Sequence, residues 1–130
     1  MELNQLAEVI RQKFPEALVE EKNKALVIKR ESLLALAKFL KTSEFAFQNL
    51  HCVTAVDWKD KMELVYHLYS FRQKFMLTLK VFLTMQDLTV ESLSGLWKSA
   101  NWLERETFDL FGIQFLNHPD PRRILNPDEW

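Results

Sequence analysis

Apolar residues follow the spacing of an amphipathic helix in the first segment of the chain, and Pro15 ends that pattern. The residues concerned are Leu3, Leu6, Ile10 and Phe14. The next stretch, ALVEEKNKALVIKR, contains two short β-prone runs, which predict a hairpin with its turn at Lys22, Asn23 and Lys24. Residues 31–50 return to the helical period, with a break expected near Thr42 and Ser43.

The middle of the chain changes to the period of two that is typical of strands. Three strands are predicted, in HCVTAVDW, MELVYHLYS and FMLTLKVFL. The link between the last two, residues 71–74, is short enough for a hairpin. The predicted inward-facing residues of these two strands are Leu64, Tyr66, Leu68, Phe75, Leu77, Leu79, Val81 and Leu83. A short helix is then expected around Val90–Trp97.

The last predicted helix mixes charged and large apolar residues. Asn101 has the side chain of an N-cap, Glu104 stands where the acid of a capping box belongs, and Gly112 is a natural C-terminal stop. Apolar residues lie around the whole circumference: Trp102, Leu103, Phe108, Leu110 and Phe111. A second protein that covers this helix would explain the pattern, because charges among buried side chains need partners.

These elements predict an α+β fold, a two-layer sandwich in which a small mixed β-sheet packs against helices. No internal repeat or Gly/Ser-rich linker divides the chain, so residues 1–117 are predicted to form a single domain. Three of the four prolines lie in the last twelve residues, and residues 118–130 are predicted to be an extended, Pro-rich docking tail.

Composition excludes several classes of function. The net charge of -1 provides no basic field for nucleic acid or an acidic membrane, and no segment has the length and hydrophobicity of a membrane span or a signal peptide. The two glycines rule out a Gly-rich phosphate loop. One cysteine and three histidines lack ligand spacing, so neither a metal site nor a Cys/His nucleophile is predicted.

Two carboxylates, Glu104 and Glu106, are the pair that invites a catalytic interpretation. They are two residues apart on a helix, so they point in nearly opposite directions and cannot converge on one bond. Arg105 and Asp109, at helical i,i+4 spacing, favour a local ion-pair network instead. No catalytic residue is therefore predicted.

The segment ANWLERETFDLFGIQFLNHPDPRRIL resembles the signature of the 30-kilodalton subunit of respiratory complex I. That motif contains E-R-E, an aromatic residue and Asp, an apolar pair, Gly-Ile, His-Pro, then a basic pair before an apolar pair. Upstream, TAVDW and ELVYHLYS also resemble the family's strand segments. The matching residues, with the preceding Trp102, are expected to form a subunit interface: Trp102, Glu104, Arg105, Glu106, Phe108, Asp109, Gly112, His118, Pro119, Arg122 and Arg123.

The resemblance implies a peripheral-arm subunit of NADH:quinone oxidoreductase that is not itself catalytic and holds no cofactor. FMN, iron–sulfur clusters and quinone would belong to other subunits of this translocase. The implied partners are the large subunit, of the 49-kilodalton type, and other hydrophilic-arm subunits, on the cytoplasmic side of the bacterial inner membrane, with no direct membrane contact. An equivalent subunit of a membrane-bound hydrogenase or formate-hydrogenlyase complex is the alternative. A free-standing hydrolase and a nucleic-acid-binding module are weaker ones.

Overall fold

A computed structural model describes residues 2–118 of the chain. Its first helix agrees with the predicted one, and a capping box starts it, in which the Glu2 N–H donates to the Gln5 side chain at 3.1 Å. The elements are α1 (Leu3–Lys13), β1 (Leu18–Lys22), β2 (Ala25–Ile28), α2 (Leu33–Thr42), β3 (Asn49–Asp57), β4 (Lys61–Ser70), β5 (Phe75–Thr84), β6 (Thr89–Glu91), α3 (Lys98–Phe111) and β7 (Gln114–Leu116).

Five strands form one mixed sheet in the order β1-β2-β5-β4-β3, in which only β2 and β5 run parallel. The β1–β2 hairpin turns at Asn23 and Lys24, both with positive φ, as a two-residue hairpin loop requires. Strands β4 and β5 are joined by residues 71–74, so both predicted hairpins are confirmed. A separate pair, β6 and β7, is parallel.

The helices pack on one face of the large sheet around a common apolar core. Leu64, Tyr66 and Leu68 of β4 and the leucines of β5 are buried on that face, as predicted from the period of two. Buried residues of α1 and α2 complete the core: Leu6, Ala7, Ile10, Leu33, Leu36, Ala37 and Leu40. The predicted α+β sandwich is therefore confirmed.

Three local predictions were wrong. In residues 31–50 the predicted break near Thr42 and Ser43 is confirmed as the end of α2, but no helix follows it, because β3 begins at Asn49. The predicted helix at 90–97 is strand β6 followed by turns, because its backbone pairs with β7, a contact distant in sequence. Asn101 is not an N-cap, since α3 begins at Lys98 with Trp97 in the N-cap position. The predicted stop at Gly112 is confirmed, with a left-handed φ of 76°.

Side-chain hydrogen bonds hold the segment before α3 against the rest of the domain. Trp97 is buried and its indole Nε1 donates to the Phe47 carbonyl at 3.1 Å. The Lys41 ammonium of α2 donates to the Leu96 carbonyl. These two bonds fix the position at which α3 starts and hence which of its residues face the sheet.

Candidate subunit interface

Helix α3 lies along β3, one of the two edge strands of the large sheet. The Ser99 hydroxyl donates to the Leu50 carbonyl at 2.9 Å, and the Thr107 hydroxyl lies 3.2 Å from the Val53 carbonyl oxygen. An uncovered edge strand presents carbonyls that could pair with another chain. Ser99 satisfies one of them, and the Thr107 hydroxyl shares its proton between Val53 and the Leu103 carbonyl of its own helix, 2.9 Å away. The helix therefore both covers the edge and is held in a defined register along it.

Glu104 places a buried carboxyl group on α3. Its side chain is fully buried, Oε1 accepts from the Ser92 hydroxyl at 2.6 Å, and Oε2 accepts from the Leu93 N–H at 2.7 Å. Burial raises the pKa of Glu104 to about 7, against the two hydrogen bonds, which lower it. The carboxyl is therefore not the capping-box acid predicted from the sequence. It ties α3 to the turn that follows β6.

His118 lies beside Glu104, where the described chain ends. Its side chain is only 4% exposed, and Nε2 is 3.0 Å from the Asn101 carbonyl oxygen and 3.8 Å from Glu104 Oε1. Because a carbonyl can only accept, Nε2 carries the proton in this contact. The predicted interface residue His118 is thus packed against α3.

Tyr66 reaches the same cluster from β4. Burial, and secondarily the charge of Glu104, raises the pKa of its hydroxyl well above the ordinary value. Among the described residues neither the Tyr66 hydroxyl nor Asn101 Oδ1, both buried, has a hydrogen-bond partner. Polar groups from β4, α3 and the segments after β6 and β7 therefore meet at one buried point.

A groove of about 370 Å³ opens beside this cluster, between α3 and β7. Its lining combines charged, aromatic and backbone groups, and it includes four of the residues that the sequence predicted for an interface. The lining residues are Glu104, Arg105, Phe108, Gln114, Phe115, Leu116, Asn117 and His118. In size the groove is at the lower end of the range of ligand pockets.

The solvent-facing side of α3 carries large apolar residues. Trp102 is 53% exposed and Leu110 is 66% exposed, with the exposed Glu106 between them at helical spacing. Arg105, Phe108 and Asp109 are half-buried, on the flanks of the helix. Glu104 and Glu106 therefore lie on opposite sides of α3, as their spacing predicts.

The structure brings together only part of the predicted site. Gly112 ends α3 and lies outside the lining of the groove. Pro119, Arg122 and Arg123 lie outside the described residues. The sequence pattern did not place Ser92 and Tyr66 at the site, because they come from distant segments. The spacing of Ala100, Glu104 and Thr107 on one helical face was the signal that Glu104 is buried.

Within residues 2–118 no cluster of three or more His, Cys, Asp or Glu side chains could hold a metal ion. No helix there is long and apolar enough to cross a membrane. Cys52, on β3, is a free and partly exposed thiol.

Comparison with known proteins identifies the family. Residues 26–130 match the model of the respiratory-chain NADH dehydrogenase 30 Kd subunit. A subunit of the NADH-quinone oxidoreductase of Geotalea uraniireducens is 41% identical over 93% of this chain and 77% of its own length. The same subunit of the Geobacter sulfurreducens enzyme is 44% identical over 81% of this chain and 67% of its own length.

Two solved structures share the fold. A trypsin-resistant fragment of Nqo5 (residues 1–134 of that protein) superposes with a TM-score of 0.76 at 27% identity, covering 92% of this chain and 99% of the fragment. A chain of the membrane-bound sulfane sulfur reductase, an archaeal respiratory membrane complex, gives a TM-score of 0.78 at 22% identity, covering 95% and 75%. The long family match and the similar relatives show that the chain belongs to the 30-kilodalton subunit family of respiratory-chain NADH dehydrogenases.

Proposed function

We propose that the chain is the 30-kilodalton subunit of an NADH-quinone oxidoreductase and that its role is assembly rather than chemistry. Its relatives are named as subunits of that enzyme, and as a family member the chain has protein partners within a multi-subunit complex. FMN, the iron–sulfur clusters and the quinone would be held by other subunits. The position of Glu104 and Glu106 on opposite sides of α3 supports a non-catalytic role, because they cannot act on one substrate.

The observation that carries the proposal is the solvent-facing side of α3. A tryptophan and a leucine that are more than half exposed lie there on one helix face, and the tryptophan is three residues from Arg105 of the groove. Aromatic residues are enriched in the central part of protein–protein interfaces. The same stretch of sequence carries the family signature, so we assign the interface to α3 and the segment after it.

The partner proposed for this surface is the large subunit, of the 49-kilodalton type, together with other subunits of the hydrophilic arm. Residues 118–130 would serve as a docking tail that extends beyond the domain of residues 1–117, with Arg122 and Arg123 as its cations. The complex would hold the chain at the cytoplasmic side of the bacterial inner membrane, through its partners and without direct contact with lipid or nucleic acid.

The similarity to the sulfane sulfur reductase chain concerns the fold alone, at 22% identity. It gives no support to a hydrogenase or formate-hydrogenlyase complex in particular. The 41% and 44% identities to chains of NADH-quinone oxidoreductases favour that enzyme as the complex to which this chain belongs.

The test is affinity purification of the tagged full chain from membranes of its own host, followed by mass spectrometry. We expect the other subunits of an NADH-quinone oxidoreductase, including the large one, in stoichiometric amounts. Purification of the chain alone, or with nickel-site hydrogenase subunits, would contradict the proposal.

A matched pair of variants locates the interface. Trp102 on α3 and Trp58 after β3 are both 53% exposed, so Trp102→Ala and Trp58→Ala remove similar areas of exposed aromatic surface. Loss of an aromatic residue at the centre of an interface typically costs about 2 kcal/mol or more of binding. We expect Trp102→Ala to reduce the recovered large subunit at least about tenfold, and Trp58→Ala to leave it unchanged. Equal effects of both variants would remove α3 from the interface.

A further inference from the structure

Strand β7 has one edge that faces β6 and one that faces the groove. Gln114 donates its N–H to the Leu88 carbonyl at 2.8 Å, and the Leu116 carbonyl accepts from the Ser92 N–H at 2.9 Å. Backbone groups of successive strand residues point to opposite edges. The N–H and carbonyl of Phe115 therefore point away from β6. Within residues 2–118 no second strand lies beside β7.

This second edge forms one wall of the groove, and α3 forms the other. Phe115 and Leu116 line the β7 side, and Arg105 and Phe108 line the helix side. Leu116 is 44% exposed, which is unusual for a leucine in the domain's sheets. The groove thus combines an open strand edge with apolar side chains and one guanidinium.

The open strand edge, the apolar side chains and the guanidinium indicate what kind of molecule the groove can bind. An extended backbone segment can satisfy both the donor and the acceptor that one residue presents at a strand edge. The apolar wall accepts an aliphatic or aromatic side chain. Arg105 contributes positive charge, and a guanidinium with five N–H donors can serve more than one acceptor. The carboxylate oxygens of Glu104 accept from Ser92 and Leu93, and Arg105 brings a guanidinium to the same lining.

We propose that the groove between α3 and β7 binds an extended segment of a neighbouring subunit, which adds a strand to the outer edge of β7 and places a carboxylate beside Arg105. This inference rests on the proposed function, because it takes the occupant from the same complex. A different subunit is favoured over a second copy of this chain by the position of Trp102. It precedes Arg105 of the groove by three residues, so the two are neighbours on the surface of α3, and Trp102 belongs to the proposed interface with the large subunit. The short length of β7 limits the pairing to a few bonds, so the side chains of the groove supply the specificity.

The experiment measures amide hydrogen exchange at single-residue resolution in the isolated full chain and in the purified complex. We expect the Phe115 amide to exchange at least about tenfold more slowly in the complex, because a hydrogen-bonded amide exchanges only on opening. The Gln114 amide is the internal control, since its bond to Leu88 exists in both samples. Unchanged exchange at Phe115 in an intact complex would overturn the inference and leave the proposed function standing.

Two other occupants have distinct signatures. If the chain's own residues 119–130 fill the groove, Phe115 is protected in the isolated chain and loses that protection when those residues are removed. If a second copy fills it, protection in the isolated chain rises with protein concentration. Either result would overturn the inference. If no complex co-purifies at all, the proposed function itself fails.

A charge-reversal pair tests the carboxylate. Arg105→Glu lies in the groove, and Arg72→Glu makes the same change at an exposed position of the β4–β5 turn. We expect Arg105→Glu to abolish the Phe115 protection in the complex, or to lower recovery of the complex at least about tenfold, while Arg72→Glu does neither. Normal recovery with normal Phe115 protection in Arg105→Glu would exclude a carboxylate partner. If Arg105→Glu fails to fold, the exchange of Phe115 in the wild-type complex decides the inference.

Discussion

The helical layer of α1 and α2 and the region of α3 with β6 and β7 bury different kinds of residue. The first two helices bury leucine, isoleucine and alanine, whereas α3 buries Ala100, Glu104 and Thr107. Apolar burial requires only that a stripe of the helix face the sheet. Buried polar groups require a partner at hydrogen-bond distance, here Ser92 for Glu104 and Val53 for Thr107.

The apolar contacts of α1 and α2 mainly stabilise the fold, whereas the polar contacts of α3 mainly determine its position. The apolar layer contributes most of the burial that holds the domain together. The polar contacts of α3 contribute less, since a hydrogen bond adds only about 1 kcal/mol net, but they fix where the helix and the β6–β7 pair lie. The proposed interface therefore lies on α3 and the β6–β7 pair, whose positions are fixed by directional hydrogen bonds.

The largest expected effect is in the apolar layer. Leu36 is fully buried in α2, so Leu36→Ala removes side-chain contacts and leaves a cavity, at a cost of about 2–5 kcal/mol. Leu34 on the same helix is 39% exposed, and Leu34→Ala is the matched control, with a change of below about 1 kcal/mol. Urea unfolding of the purified full chain measures both. Equal losses would mean that α2 is not oriented as described.

The same distinction explains what the sequence could predict. The strands β4 and β5 and the inward-facing residues Leu64 and Leu77 follow from a clear period of two. Strand β6 could not be predicted, because three residues with no alternation become a strand only by pairing with β7, more than twenty residues later. The N-cap at Trp97 has no cap side chain, and its position depends on the tertiary bond from its indole to Phe47.

For the candidate site, the sequence identified the residues and not their arrangement. Glu104 has the local pattern of a capping acid because Asn101 precedes it by three residues, but the tertiary contacts of Trp97 override that pattern. Its true donors, Ser92 and the Leu93 N–H, belong to a turn for which the sequence predicted a helix. The groove depends on the same β6–β7 pairing, so no pattern in the sequence reveals it.

The second prediction concerns pH and Glu104. Its pKa is about 7 in the folded chain and about 4.5 when unfolded, so the folded state binds the proton more tightly. The contribution of this group to stability is therefore fully present below pH 4.5 and is lost as pH rises through 7. The loss is on the order of 3 kcal/mol.

The measurement is the free energy of unfolding from pH 4.5 to 8, compared between the wild-type chain and Glu104→Gln. Tyr66 and His118 also lie beside Glu104, and both are retained in the variant. The stability of the wild type relative to the variant should fall from pH 4.5 to about 7 and level off above that, because glutamine does not titrate. A difference that is independent of pH would show that Glu104 has an ordinary pKa in the folded chain.

The third prediction tests the Thr107 hydroxyl of α3. Thr107→Val keeps the shape of the side chain and removes the hydroxyl, which lies 3.2 Å from the Val53 carbonyl oxygen and 2.9 Å from the Leu103 carbonyl oxygen, at an expected cost of about 1 kcal/mol. Thr54 is exposed on β3, and Thr54→Val is the control, expected within about 0.5 kcal/mol of wild type. Chemical denaturation measures both. A loss as large as that of Leu36→Ala would mean that polar contacts in α3 carry stability as well as position.

The smallest effect on folding, and a large one on assembly, is expected at Glu106. It is exposed on the same side of α3 as Trp102, so Glu106→Lys should change the free energy of unfolding by no more than about 0.5 kcal/mol. If that side of the helix meets another subunit, reversing the charge opposes the complementary groups of that protein and should lower recovery of the complex several-fold. Glu16→Lys makes the same change in net charge at an exposed position after α1 and should assemble normally.

Quantitative mass spectrometry of complexes purified through each tagged variant makes the comparison. Normal assembly of Glu106→Lys, or an equal defect in Glu16→Lys, would show that this side of α3 faces solvent in the complex and would restrict the interface to the groove.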